Sequence, residues 1–428
     1  MIKFINFDYF TVILNTVNGK NFIYDGIITE INSSLNEYLE KNGFYIIPNI
    51  KISEMAESKI ILPTICITNK CNSNCSYCFR KQIKNDDYSF DMVKYNNFIN
   101  LLYEIYPNFE YCKLDLTGYG EPLLEYDLIK KIIYDAEDRS LSNKKIDVGF
   151  TTNGILLNEE KIKFFKEKSI YYGISLDGIN FKENKNRFNS KDISKFKILI
   201  KNIKLIDKKY IGISTVITSN TKNIVRNYDF FIKHFNSVTM KIVRGFSCES
   251  KKMDKVNLLK KYKELLNKFI RKIDSNRIDY IIPIINDEDY FGKILKRVVL
   301  NIPVLSRCGA ANSKIALDLN GDIYMCASAV GKCEYRIGLL SSGIDYKKRK
   351  VIIDNIINNK ICIDCWARFI CGGPCLVRLN YYNEDMNEIC WLTKELIILA
   401  FEFKYILIKK YPEIFKKLIS ILMDKYYI

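Results

Sequence analysis

From residue 61 onward, short β-branched runs alternate with amphipathic helical stretches, and this alternation limits the fold more than any other feature of the chain. "ILPTICIT", "KLDLTG", "IDVGFTTNG", "YYGISLDG", "IGISTVIT" and "SVTMKIV" read as six buried strands. Helix-patterned segments such as "DMVKYNNFINLLYEIY" and "DLIKKIIYDAEDRS" lie between them. The pattern predicts an α/β fold, a partial (β/α)6 TIM-like barrel over residues 58–245. In such arrays the chemistry sits at the C-terminal ends of the strands. The stretch "CNSNCSYCF", residues 71–79, directly follows the first strand, so Cys71, Cys75 and Cys78 fall where a catalytic loop belongs.

The flanking segments have their own patterns. Residues 1–57 read as a small β-meander and a helix: "YFTVILNT", a turn at "VNGKN", "FIYDGIITEI", then "NSSLNEYLEKNG" with Asn32 or Ser33 as N-cap and Gly43 as stop. Residues 246–305 contain "KVNLLKKYKELLNKFIRKI" and are expected to form a helical linker. Residues 306–395 are cysteine-rich with few long apolar runs, so this domain is expected to need metal to fold. Residues 396–428 are expected to form a C-terminal helix on the body.

Composition narrows the chemistry. The 428 residues are 48% hydrophobic and 27% charged, enough for one large core and a second smaller one. No apolar run approaches the roughly 20 residues of a membrane span, and the N-terminus lacks a basic leader with a cleavage site. The expected compartment is the cytoplasm, where thiols stay reduced, so the fourteen cysteines are read as ligands before disulfides. Lysines carry much of the +17 net charge but are scattered over helix-like segments, so neither a nucleic-acid partner nor a membrane is expected. The single histidine, His234, reads as a helix-end surface or packing residue and leaves little room for imidazole chemistry.

Three thiolates can hold three irons of a cubane cluster and leave the fourth without a protein ligand. The free corner can take a small chelating molecule. Zinc needs a fourth protein donor, and CX3CX2C is not a usual zinc spacing. At these residues the chain resembles the radical S-adenosylmethionine (SAM) superfamily, whose signature is CX3CXΦC with an aromatic before the last cysteine, here Tyr77. "TGYGEP", with Gly118, Gly120 and Glu121, resembles the family's glycine-rich element beside the methionine amino group. "TTNG", with Thr152 and Asn153, and "SLDG", with Ser175 and Asp177 and with Arg187 following, resemble its ribose and carboxylate contacts. The resemblance implies SAM on a [4Fe-4S] cluster held by Cys71, Cys75 and Cys78. Reductive cleavage then gives methionine and a 5′-deoxyadenosyl radical that abstracts hydrogen from the substrate. It also implies a flavodoxin- or ferredoxin-type reductant.

A second signature lies downstream. Cys308, Cys326, Cys362, Cys365, Cys371, Cys375 and Cys390 resemble the seven-cysteine pattern of the SPASM domain. That resemblance implies two auxiliary [4Fe-4S] clusters, one on Cys308, Cys326 and Cys375, the other on Cys362, Cys365, Cys371 and Cys390, three clusters in all. The first auxiliary cluster has either an open iron or Cys333 as its fourth corner. Cys66, Cys112 and Cys248 read as small buried side chains.

SPASM proteins mostly modify peptides or proteins, so the implied substrate is a ribosomally made precursor peptide and the leading product a cysteine thioether. Carbon–carbon cross-linking and formylglycine formation are the alternatives. Sulfatase maturases place an aspartate after the second SPASM cysteine, where this chain has Ala327. Residues 1–40 match the opening of a leader-binding domain, or else form a cap on the barrel. A non-catalytic iron–sulfur carrier is the contrasting class, but a carrier has no use for the SAM-site glycines.

Overall fold

In the computed structural model, which describes residues 2–46, 55–78, 89–140, 143–188, 192–244, 253–381 and 384–426, Pro63 divides the first barrel strand. The run expected over 61–68 becomes two short strands, because proline has no N–H for the ladder. Leu62, Thr64 and Cys66 donate to the carbonyls of Ser313, Ile315 and Leu317 at 2.7, 2.8 and 2.9 Å. The cysteine-rich region is thus anchored on the barrel's first strand.

The chain opens with β1 (Ile2–Asn6), β2 (Phe10–Asn15) and β3 (Asn21–Asp25), an antiparallel meander, and α1 (Ser33–Lys41). Asn32 caps α1 by accepting from the Leu35 N–H at 2.9 Å, and Gly43 follows the helix at a φ of 67°. β4 (Ile60–Ile61) and β5 (Thr64–Ile65) then lead into β6 (Tyr111–Asp115), β7 (Lys145–Thr152), β8 (Tyr171–Ser175), β9 (Ile211–Ile217) and β10 (Ser237–Ile242). Between them run α2 (Met92–Ile105), α3 (Tyr126–Arg139), α4 (Glu159–Glu167), α5 (Ile193–Leu205) and α6 (Ile224–His234). Strands β5 to β10 are parallel neighbours in sequence order, the arrangement of a partial (β/α)6 barrel.

Each strand alternates. Cys112, Leu114, Val148, Phe150, Ile174, Val238 and Met240 are buried among the helices, each large apolar side chain contributing about 1.5–3 kcal/mol. Lys113, Asp115, Thr151, Ser175 and Lys241 take the opposite, concave face. His234 ends α6 with its ring against Phe230, a packing residue.

Past β5 the sheet continues. β11 (Ala316–Leu317) pairs parallel with β5, and β12 (Asp322–Tyr324), β13 (Arg336–Leu339) and β14 (Gly343–Ile344) add antiparallel strands. On the far edge, the Asp289 carboxylate accepts from the Met240 N–H at 2.6 Å, and Asn286 Nδ2 donates to the Val238 carbonyl at 2.9 Å. Lys314 and Glu288 meet at 2.6 Å and join the segments lining these two edges.

Where a linker is expected over 246–305, the described part is core. α7 (Lys255–Asp274) buries Leu258, Tyr262, Leu265 and Phe269, and α8 (Gly292–Val299) buries Leu295 and Val298. The cysteine-rich region adds α9 (Tyr346–Ile357), α10 (Arg368–Cys371) and α11 (Leu376–Tyr381). α12 (Met386–Lys410) packs on α7 and α8 and runs through the expected boundary at 395/396. The single helix expected over 396–428 is broken at Tyr411, and α13 (Pro412–Tyr426) starts anew. Pro412 disfavours helical geometry at Tyr411 and suits a first helical position. No described helix is long and apolar enough to cross a membrane.

Candidate active site

The cysteine loop leaves β5 and is tied to three other strand ends. Asn72 accepts from Asn153 Nδ2 at 2.7 Å through its side chain and from Lys195 Nζ at 3.2 Å through its carbonyl. The Ser76 N–H donates to the Asn186 carbonyl at 2.7 Å, and Ser76 Oγ to Asn186 Oδ1 at 3.1 Å. The Glu121 N–H donates to the Lys70 carbonyl at 2.8 Å. Gly118 and Gly120 are needed for this approach: a Cβ would lie 2.5 Å from Cys66 Cα and 2.1 Å from the Lys70 carbonyl oxygen. Cys71 is exposed, while Cys75 and Cys78 are half-buried.

Two carboxylates hold the strand ends together. Glu121, 2% exposed, accepts from Thr152 Oγ1 at 2.5 Å and from the N–H groups of Asn153 and Leu123 at 2.8 and 3.2 Å. Burial pushes its carboxyl upward, and these donors pull it back. Asp177, 1% exposed, accepts from Arg187 Nη2 and the Val216 N–H at 3.0 Å each, and from Tyr77 Oη at 2.5 Å. Ser175 ends β8 half-buried, paired with Ser214 of β9.

Arg187 faces the cysteine loop. Its Nη1 lies 3.9 Å from Cys75 Sγ and its guanidinium 5.7 Å from the Tyr77 ring centre. Burial pushes the Cys75 thiol up to about 11, with Arg187 pulling the other way. Arg187 Nε, Asn186 Nδ2 and Ser73 Oγ are buried without a hydrogen-bond partner. Buried polar atoms are rarely left unsatisfied, so this loop has donors to offer a ligand.

The C-terminal thiols fall into two neighbourhoods. Burial pushes Cys326 up to about 12, and the next contributors are Cys308 and Cys375. Burial pushes Cys362 up to about 11, with Cys371, Cys365 and Cys390 adding to it. Such mutual effects need short separations. Cys333 is exposed, with its thiol 3.8 Å from Glu334. Gly321, in the turn before Cys326, and Gly372 and Gly373, after Cys371, all have positive φ. Arg297 ties the two groups together, donating to the carbonyls of Ile370 and Cys371 beside the four and of Arg307 beside the three. Among the described residues no three His, Cys, Asp or Glu side chains converge as on a single metal ion. Cluster thiolates stand farther apart, around several irons. Cys66 and Cys112 are buried, as expected, and Cys248 lies outside the described residues.

Sequence patterns did not reveal Asn72, Asn186 or Ser76. Their contacts cross up to 123 residues, and no local spacing marks them.

A parallel βα barrel with three thiols after its first strand and a carboxylate-braced ring of strand ends is the architecture of radical SAM enzymes. Residues 65–225 match the radical SAM superfamily, so the chain carries a radical SAM domain and is an enzyme. That domain implies SAM and a [4Fe-4S] cluster. The chain is 26% identical over 330 residues to a cysteine-type anaerobic sulfatase-maturating enzyme of Clostridium novyi, covering 72% of this chain and 85% of the relative. It is 24% identical over 386 residues to the radical SAM cyclopropyl synthase TigE of Paramaledivibacter caminithermalis, covering 81% and 77%. Its fold matches native anSMEcpe with bound AdoMet at a TM-score of 0.66 and 20% identity, over 82% of this chain and all of that one. It also matches Streptococcus suis SuiB bound to precursor peptide SuiA, at 0.52 and 16%, over 90% and 98%.

Proposed function

We propose that this enzyme is a peptide maturase that joins a cysteine sulfur of a ribosomally made precursor to a carbon of the same peptide. The observation that supports it is the grouping of the C-terminal thiols into Cys308, Cys326 and Cys375 and into Cys362, Cys365, Cys371 and Cys390. That grouping suits two auxiliary [4Fe-4S] clusters beside the one held by Cys71, Cys75 and Cys78. Clusters bound there would supply the electron that splits SAM into methionine and a 5′-deoxyadenosyl radical, and a sink for the electron released on bond closure.

The chain's own residues then do the positioning. Arg187, with a free buried Nε, is placed to receive the SAM carboxylate. Tyr77, Asp177 and Glu121 have their polar atoms engaged within the protein, so their role is to hold Arg187, Thr152 and Asn153 in place. Gly118 and Gly120 hold the loop close. Thr152, Asn153 and Ser175 end β7 and β8 beside the loop, where the ribose would lie.

Closing a thioether removes two hydrogens from the peptide, one as a hydrogen atom and one as a proton. The test is mass spectrometry of a short cysteine-containing peptide encoded beside the gene, with and without iodoacetamide. The expected product is lighter by two hydrogens and has lost an alkylatable cysteine; unchanged alkylation would indicate carbon–carbon closure.

Formylglycine formation is the second reading, favoured by the similarity to the sulfatase-maturating enzyme over most of its length. Against it, Ala327 puts a methyl group where that chemistry places a carboxylate next to Cys326.

A further inference from the structure

The segment after β8 holds two neighbouring side chains against the cysteine loop. Asn184, with no solvent exposure, donates from Nδ2 to the carbonyls of Gly178 and Asn180 at 2.7 and 2.8 Å and accepts from the Asp177 N–H at 2.8 Å. Its own carbonyl accepts from the N–H groups of Arg187 and Phe188 at 2.9 and 2.8 Å, which closes a helical turn. From that turn Asn186 reaches Ser76 and Arg187 reaches Cys75, adjacent residues of the loop. Asn186 is 7% exposed and Arg187 8%.

Asn186 meets Ser76 twice. Its carbonyl accepts from the Ser76 N–H at 2.7 Å and its Oδ1 from Ser76 Oγ at 3.1 Å. With the oxygen end of the amide committed to Ser76, the NH2 end is turned away from it, and Nδ2 is buried without a hydrogen-bond partner. The brace to the loop therefore uses oxygens only. A buried N–H left unpaired is costly, and an asparagine that served the brace alone would carry that cost for nothing.

The next residue indicates which ligand relieves it. Arg187 Nε is likewise buried without a partner. Two unsatisfied donors on consecutive residues, one of them part of a guanidinium, suit an anion with two acceptor oxygens. Beside that positive charge an ammonium or sulfonium group is repelled.

We propose that Asn186 Nδ2 is a second donor to the SAM carboxylate, one oxygen going to it and the other to Arg187 Nε. This rests on the role of Arg187 as the carboxylate's partner. Ser76 is then a positioning residue: by holding Oδ1 it fixes which way the amide faces.

Isothermal titration of SAM, and of its decarboxylated analogue, into the anaerobically reconstituted full-length enzyme tests it, with iron content measured for every variant. Asn186→Ala should weaken SAM binding about tenfold, the loss of one hydrogen bond to a charged group. Asn186→Asp keeps an oxygen for Ser76 but turns a second one toward the carboxylate, so it should be the worse variant and weaken SAM binding about a hundredfold. The decarboxylated analogue should bind both variants as it binds the wild type. Were Asn186 only a brace, the order would reverse, with Asp retaining affinity that Ala loses. That order, or equal losses for the two ligands, would overturn the proposal. If either Asn186 variant loses iron, Ser76→Ala decides: weaker SAM binding with an unchanged analogue is expected, and equal effects on the two ligands, or none, would overturn it. Arg187→Gln separates this proposal from the role of Arg187. SAM binding weakened there but unchanged in Asn186→Asp would overturn the Asn186 assignment alone; SAM binding indifferent to Arg187→Gln would overturn both.

Discussion

Arg187 donates from Nη2 to Asp177 Oδ1 at 3.0 Å while its Nη1 lies 3.9 Å from the Cys75 sulfur. One side chain thereby connects the end of the fourth barrel strand to the cysteine loop. Replacing Arg187 with Met strands the Asp177 carboxylate, which has no solvent exposure, and should cost about 3–5 kcal/mol of stability. Adding Asp177→Asn should recover much of that loss, because the unpaired charge is gone. Urea denaturation of the metal-free single and double variants, under reducing conditions, measures the difference.

Glu121 is expected to act through the strands it ties. Glu121→Gln puts an amide donor against Thr152 Oγ1 or the Asn153 N–H, both now donors to the carboxylate. A loss of about 1–3 kcal/mol follows for the unsatisfied pair. Because Asn153 also holds Asn72 of the cysteine loop, SAM affinity should fall while total iron stays unchanged. Isothermal titration with SAM and iron analysis separate the two effects.

The cysteine groups make independent predictions about metal content. Fully reconstituted protein should carry about twelve irons, four for each cluster. Changing Cys71, Cys75 and Cys78 to Ala should leave about eight irons and abolish SAM cleavage. Changing Cys308, Cys326 and Cys375 should likewise remove about four. Cys333→Ala should remove none, since its thiol is exposed and meets Glu334. A loss of iron in that variant would make Cys333 the fourth corner.

Lys404 gives a pH signature. Its Nζ donates to Asn21 Oδ1 at 2.9 Å and the Val298 carbonyl at 3.0 Å, tying α12 to the meander and to α8. Burial pushes it down to about 8. Its folded pKa lies below its unfolded value of about 10.4, so between these values the unfolded chain binds more protons. Stability contributed by this group therefore rises as pH goes from about 8 to about 10.4 and is absent below that window. Other groups titrate there too, so the check is the difference between the wild type and Lys404→Met across the window. The wild type should gain on the variant as pH rises.

The barrel was legible in the sequence because period-two strands and 3.6-period helices alternate without interruption. β6 to β10 fall on the expected runs. The divided first strand was hidden by "ILPTICIT", where Pro63 matters only because the residues around it have Ser313, Ile315 and Leu317 to pair with, some 250 residues away. Sequence separation also hid the core role of residues 253–305: α7 reads as lysine-rich, yet its apolar stripe meets α12, far downstream. Cysteine spacing marked the thiols because ligands cluster locally. It gave no hint of the Asn186 contacts or of the Lys314–Glu288 pair, which form only when the sheet curls. The roles of Gly120 and Glu121 also needed coordinates: the motif marks them, but only the fold shows that they face the loop and β7.

The most direct test of the account is the yield of 5′-deoxyadenosine against modified peptide, measured together by liquid chromatography and mass spectrometry. Anaerobically reconstituted enzyme, SAM and a reductant are incubated with a short cysteine-containing peptide encoded beside the gene. One 5′-deoxyadenosine is expected for each peptide that becomes two hydrogens lighter, and none when Cys71, Cys75 and Cys78 are changed to Ala. SAM left intact by the iron-replete enzyme, or peptide modified at full yield by that triple variant, would contradict it.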